Sequence, residues 1–213
     1  MLQDQGREDI DPRQFHLQWD GKMFPFHLHV EKVHRFLSIS RIMTNCLKLT
    51  FRDYGITVDD RTLKKYVAMT RKSFIDLATL YDDTRPALEI LVSHGHDLGV
   101  ISNADLDLYK QLSRMKLLSF FKYPMTSYEA NSYKPTKSIF LKALRLAHCT
   151  SDNAVMVGDS MENDIVGASN VGMMTILIDR KSTERPHETD SVQSAHPDIV
   201  VNNLLDIGAK VNS

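Results

Sequence analysis

Cysteine is scarce in this chain of 213 residues: only Cys46 and Cys149 occur, and no Cys-x-x-Cys spacing exists. A disulfide framework and a cysteine-ligated zinc site are excluded, and a reducing, cytoplasmic compartment is the expectation. Charge of one sign is also missing, because 26 Lys plus Arg stand against 27 Asp plus Glu for a formal net charge of −1. Such a balance gives no large field to hold a polyanion, so nucleic acid is not expected as a partner. No run of about 18 apolar residues appears, and the opening MLQDQGREDIDPRQ lacks an apolar stretch. Neither a membrane span nor an export signal is expected. With 9 Gly and 7 Pro, low-complexity and collagen-like readings fall away as well.

What is present reads as a globular protein, with 42% hydrophobic and 25% charged residues, long enough to bury a real core. Its length, set against a prior of about 150 residues per domain, suits one domain or one domain carrying an insert. Residues 1–14 have almost nothing apolar to bury and read as a flexible tail. FHLQWDG then alternates Phe15, Leu17 and Trp19 before Asp20-Gly21, a pattern that predicts a short strand closing on a turn. From about Val30 to Tyr81 the period becomes helical. Val33, Leu37, Met43, Leu47 and Phe51 form one stripe, Tyr54-Gly55 breaks it, and Leu63, Tyr66, Val67, Phe74, Leu77 and Leu80 resume it.

Pro86 suits the opening of a helix, and Gly95 suits its end just before the apolar run LGVIS at 98–102. The same unit then repeats. Helices over about 105–117, 136–147 and 162–170 lead to strands near 123–127, 154–158 and 174–178, and DIVV at 198–201 predicts a last strand. Strands separated by helices of this length imply an α/β fold, a parallel sheet with helices on both faces. The expected organisation is a tail at 1–14, an α/β core at 15–29 and 82–213, and a helical cap at 30–81, inserted after the first strand. That cap is expected above the carboxyl ends of the strands, where open α/β sheets place their sites.

Several polar groups fall at those strand ends. Ser102 and Asn103 close LGVIS, Lys134 lies in the turn TSYEANSYKP, Asp159 follows AVMVG, and Asp164 completes GDSMEND. A hydroxyl, a lysine and paired carboxylates suit a phosphoryl group with a hard divalent cation, which points to Mg2+ and a phosphate ester. Lys134 would neutralise phosphoryl charge, Ser102 would donate to a phosphoryl oxygen, and Asp159 would hold the metal, with Asp164 supporting from behind. Each residue also has a plainer role: Ser102 and Asn103 can cap the next helix, and Asp159 can be an N-cap. His94 and His96 flank Gly95 at a helix end, which suits dipole capping, and no metal cluster is read from His27, His29 and His34.

VISN, then Lys-Pro, then VGDSMENDIVGASNVGM resembles the second, third and fourth motifs of the haloacid dehalogenase-like (HAD) superfamily, in family order, over roughly residues 86–180. The resemblance implies a Rossmannoid parallel sheet with a small helical cap, Mg2+ as cofactor, and phosphatase-type hydrolysis of a small phosphorylated metabolite. It also implies a first motif, an apolar strand followed by Asp-x-Asp-Gly-Thr-Leu, and no such string occurs. The best match, Gln18-Trp19-Asp20-Gly21-Lys22-Met23, puts Gln18 in the nucleophile position and Asp20 in that of the general acid/base. Asp9-Ile10-Asp11 and His27-Leu28-His29 are competing registers, and the family's first strand being absent as such is a further alternative.

A carboxamide at position 18 is a poor nucleophile and brings no charge to a cation, so on this register activity is impaired. Two functions follow from the sequence. One is a HAD-like hydrolase of phosphatase type, with Asp20 and Lys134 catalytic, Ser102, Asn103 and Lys134 binding substrate, and Asp159 and Asp164 at the metal. The other is a catalytically inactive relative that binds a phosphate-containing metabolite or a protein partner.

Overall fold

A computed structural model describes residues 1–32, 36–180 and 196–211, apart from the side chains of 24–32. The chain divides into two compact units, Met1–Ala78 and Thr79–Ser213. Among the described residues, no helix is long and apolar enough to cross a membrane.

The first unit is helical from near its start. Helix α1 runs Pro12–Lys32, α2 Ile39–Asp53 and α3 Asp60–Leu77. The strand expected at Phe15–Trp19 is therefore a correction: those residues are the second turn of α1, and the segment contributes no strand to the sheet. The alternation was coincidental. Phe15 and Trp19 are each 3% exposed and stand four apart, on one helix face, whereas Leu17 between them is 60% exposed. The Trp19 Nε1–H donates to the Met43 carbonyl at 3.1 Å, and the Phe15 ring lies 4.9 Å from that of Phe51. The Asp20-Gly21 turn signal is overridden too, at a propensity cost of about 1 kcal/mol for the helical glycine.

Helix α2 buries Ile42, Met43, Cys46, Leu47, Thr50 and Phe51 on one side. Gly55 ends that turn at φ 71°, letting the Ile56 N–H reach back to the Phe51 carbonyl at 2.9 Å. Asp59 caps α3 by accepting from the Arg61 and Thr62 amides at 2.9 and 3.0 Å. Leu63, Tyr66 and Val67 face inward, but the stripe stops there, since Phe74 is 61% and Leu77 78% exposed. Residues 1–14 are likewise no loose tail. Leu2 and Ile10 are buried, Gln5 donates to the Tyr66 hydroxyl at 3.1 Å, and Arg7 donates to the Tyr54 carbonyl at 3.0 Å.

The second unit is α/β. Helix α4 (Thr84–Ser93) leads to β1 (Leu98–Ser102), α5 (Asp107–Arg114) to β2 (Phe121–Thr126), and α6 (Ser127–Ala130) with α7 (Lys137–Leu146) to β3 (Val155–Gly158). A π-helical turn, Met161–Val166, runs into α8 (Gly167–Ser169), followed by β4 (Met174–Ile178), β5 (Ile199–Val201) and α9 (Ile207–Val211). Every strand pairing is parallel, as the helix-separated strands require. One face is covered by α7, whose Ile139, Phe140 and Leu144 pack with Met156, Ala168 and Met173. The other carries Leu91 of α4 and Ile207 of α9 against Ile176 and Val201.

The pairing is interrupted. Among the described residues, β1 and β2 form one two-stranded sheet, and β3, β4 and β5 form another of three strands. The sequence predicts a single sheet containing a strand from residues 15–19, and that strand is helix in the other unit. The remaining α/β elements stand close to their expected positions, the largest shift being the end of α5, at Arg114 rather than 117.

Candidate functional site

Ser102 ends β1 opposite Thr126, the last residue of β2. Thr126 is fully buried and opens α6 through a capping box, its hydroxyl accepting from the Glu129 amide while the Glu129 carboxylate accepts from the Thr126 amide. The Ser127 hydroxyl donates to the Ala104 carbonyl at 3.0 Å. The loops leaving β1 and β2 are thereby joined. On α5, the Tyr109 hydroxyl donates to Glu129 at 2.8 Å. Burial, then the neighbouring Glu129 carboxylate, pushes that phenol up to about 12, so it stays a neutral donor.

Asn103, directly after Ser102, spends its side chain on the main chain of Lys134. The Lys134 N–H donates to Asn103 Oδ1 at 2.7 Å, and Asn103 Nδ2 donates to the Lys134 carbonyl at 3.0 Å. Both halves of the carboxamide are used, which fixes Lys134 from two directions. Its ammonium in turn reaches Asp164 Oδ1 at 2.5 Å, with the two side chains 13% and 5% exposed. The second oxygen, Asp164 Oδ2, accepts from the Ser160 amide at 3.1 Å.

That arrangement depends on local sequence. Ser160 caps the π-helical turn, its hydroxyl accepting from the Asn163 amide at 3.1 Å, which orients the turn to bring Asp164 back under β3. Gly158 must be glycine, because a Cβ there would lie 2.3 Å from Asp164 Cγ. A similar closeness holds at Gly167, where a Cβ would meet the Phe140 ring at 2.5 Å. Asp159, one residue past Gly158, is exposed.

The structure thus joins Asn103, Lys134 and Asp164 in one chain of contacts running from the end of β1 to the turn after β3. Ser102 precedes the first member, and Asp159 lies at the end of β3. Gln18 and Asp20 are both exposed residues of helix α1 in the first unit, so no strand aims them. In the competing register, Asp9 pairs with Arg7 at 2.7 Å, which lowers its carboxyl below the usual range, and Asp11 accepts from the Arg13 amide at the start of α1. His34 and the side chains of His27 and His29 lie outside the described residues.

Among the described residues, no group of three or more His, Cys, Asp and Glu gathers as a metal cluster. Magnesium asks less than that, being held by one or two carboxylates with waters and substrate oxygens completing its shell. The exposed Asp159 carboxylate fits such a ligand. Asp164 is already committed to Lys134 and the Ser160 amide.

Sequence reasoning located these residues but missed what Asn103 does, and missed the Thr126–Glu129 capping box although Thr-x-x-Glu is legible in TSYE. The amide clamp has no local signature, since its partners are 31 positions apart.

The sequence profile described as haloacid dehalogenase-like hydrolase matches residues 30–178, a span that includes Ser102, Lys134 and Asp159 and starts after Gln18 and Asp20. A glyceraldehyde 3-phosphate phosphatase of Methanothermobacter thermautotrophicus is 38% identical over 122 residues, 57% of this chain and 53% of that protein. A ribulose-1,5-bisphosphate 5-phosphatase of Halopiger xanaduensis is 31% identical over 124 residues, 58% of this chain and 50% of that protein. The chain spans about half the length of these curated relatives. Among solved structures, a magnesium-bound HAD-hydrolase of Bacillus subtilis shares the fold at TM-score 0.77 and 18% identity, covering 100% of this chain and 87% of that one. On the profile match across most of its length, and on the parallel α/β fold with the Ser102, Lys134 and GDSMEND elements in place, this chain belongs to the haloacid dehalogenase-like hydrolase family.

Proposed function

We propose that the strand ends of the α/β unit form a phosphatase-type site for a small phosphorylated metabolite, acting with Mg2+. The observation that carries this reading is the buried Lys134–Asp164 pair, held in place by the Asn103 clamp at the ends of β1 and β3. An ammonium bound to one carboxylate keeps further protons to donate, so Lys134 can meet phosphoryl oxygens without leaving Asp164. Ser102, at the neighbouring strand end, would donate its hydroxyl to the same group. Asp159 would hold Mg2+, which when bound would supply charge neutralisation at the phosphoryl oxygens. The names of the curated relatives, phosphatases of sugar phosphates, support the substrate class.

A second reading is favoured by one observation: Gln18 and Asp20 lie on helix α1, so the segment expected to carry a nucleophile does not end a strand. On that reading the site binds a phosphate-containing metabolite without turning it over. Phosphate release from a panel of small phosphate esters, with and without Mg2+, separates the two when read beside direct binding of inorganic phosphate. Magnesium-dependent release that is lost in Asp159→Asn and Lys134→Ala supports the phosphatase. Binding without release, lost in Lys134→Ala, supports the second reading. Neither binding nor release would overturn both.

A further inference from the structure

The loop that leaves β1 is inverted in its burial. Asp105 is only 9% exposed, whereas Leu106 beside it is 49% exposed, the reverse of where a carboxylate and an isobutyl group settle by transfer free energy. The loop is also compact. The Ala104 amide turns back to the Ser102 carbonyl at 2.9 Å, and the Ala104 carbonyl accepts from the Ser127 hydroxyl at 3.0 Å and the Tyr128 amide at 3.3 Å. Leu106, two residues past Ala104, and Tyr128, whose amide is bonded to it, are thereby brought to the same carboxyl ends of β1 and β2. Tyr128 is likewise 49% exposed. Two large, largely apolar side chains thus flank the strand end that carries Ser102.

Polar side chains around them are already spent. Asn103 holds the Lys134 main chain, Ser127 holds Ala104, and Glu129 accepts from the Thr126 and Tyr109 hydroxyls. Charge points the same way. Residues 102–109 and 126–134 contain Asp105, Asp107 and Glu129 against one base, Lys134, and that base is paired with Asp164. The next cation along α5 is Lys110, four residues after Leu106 and so about 6 Å further down the helix, which runs back from the strand ends because β2 is parallel to β1. A second anionic group on a ligand would meet apolar surface and net negative charge here, whereas an uncharged, apolar group would gain burial.

We propose that Leu106 and Tyr128 determine specificity at this site, selecting a phosphate monoester whose remainder carries no second charge and turns an apolar face to the loop after β1. This rests on the phosphatase-type reading of Ser102 and Lys134 and narrows its substrate class. Lys134 and Ser102 hold the phosphoryl group, and the remainder leaves it over Leu106, four residues on. Bisphosphates and phosphorylated carboxylic acids are disfavoured, because their second anion is desolvated there without a counter-ion. Position 106 is exposed, so its selection can be changed without disturbing the core.

The test uses ligands that resist hydrolysis, titrated calorimetrically into the full chain with Mg2+ present: methylphosphonate, butylphosphonate and 3-phosphonopropionate. Butylphosphonate is expected to bind about fivefold or more tighter than methylphosphonate, through burial of its added methylenes, and 3-phosphonopropionate about fivefold or more weaker than butylphosphonate. Leu106→Lys is expected to reverse the order of those two, and Tyr128→Ala to reduce the butyl advantage about threefold. Equal affinities, a carboxylate ligand that binds tightest, an unchanged order in Leu106→Lys or an undiminished advantage in Tyr128→Ala would each overturn the selection. Loss of methylphosphonate binding in Lys134→Ala would show in each of those cases that the phosphate site itself stands. Binding of none of these ligands would remove that site, and this inference with it.

Discussion

The two units solve the same problem with different completeness. The helical unit satisfies its backbone within each helix, and its core is well buried: Cys46, Leu47, Phe51 and Leu63 are fully buried, and Tyr66 nearly so. The α/β unit also has fully buried anchors, Ile139, Phe140, Ile165 and Ile176, but its sheet is broken into two and three strands. The contrast teaches where each kind of element finds its hydrogen bonds. A helix lacking a neighbour loses apolar burial alone, whereas a strand lacking a neighbour also leaves a row of main-chain groups unpaired.

The comparison can be broken most forcefully at matched core aromatics. Phe51→Ala in the helical unit and Phe140→Ala in the α/β unit each remove a fully buried ring and are expected to cost about 3–5 kcal/mol, read from urea unfolding midpoints. A much smaller cost at Phe140 would mean that α7 does not hold the two half-sheets together. Lys134→Ala comes next. It leaves Asp164 buried without its counter-ion, for an expected loss of about 3–5 kcal/mol, and Lys134→Ala with Asp164→Ala together should cost less than the sum of the two. Additive losses would show that the pair is not coupled.

Smaller effects sharpen the helical side. Asp59→Ala removes the cap of α3 and should cost about 1 kcal/mol, measured by thermal unfolding. Leu17→Asp should cost less than about 0.5 kcal/mol, because that position faces outward on α1; on a strand it would share the face of Phe15 and Trp19 and be severely destabilising. At the far edge of the sheet, Asp198 accepts from the Thr175 amide and hydroxyl at 2.7 and 2.8 Å. Those hydrogen bonds, first the hydroxyl and then the amide, hold its carboxyl below the usual range. A lowered folded-state value means stability present above the unfolded value and lost as pH falls through the folded one. Acid titration of unfolding should therefore show a small decline below about pH 4 that is reduced in Asp198→Asn.

Much of this was legible in the sequence, for reasons that differ by segment. LGVIS, AVMVG and MTILI are short apolar runs bounded by glycine or polar turns, and each became a strand within a residue of its expected limits. The α2–α3 break at Tyr54-Gly55 was written in a glycine that adopts positive φ. The segment 15–19 was misread because Phe15 and Trp19 satisfy both a period of two and an i, i+4 spacing, and only Leu17 distinguishes them. The site residues Ser102, Asn103, Lys134, Asp159 and Asp164 were placed by their positions after strands. How Asn103 and Lys134 engage each other was not legible, since it depends on where two distant loops meet. Gln18 illustrates the same limit from the other side, being aligned by motif and yet carried on a helix; Gln18→Asp is expected to leave phosphate release unchanged.

Native-state amide exchange of the unmodified chain tests the central claim most directly. The account expects the amides of 174–178, flanked on both sides, to exchange slowest in the sheet, with part of those in 98–102 and 155–158 exchanging markedly faster. Uniformly slow exchange across all three strands would mean that β1 and β3 are already paired, and would contradict the interrupted sheet on which the rest depends.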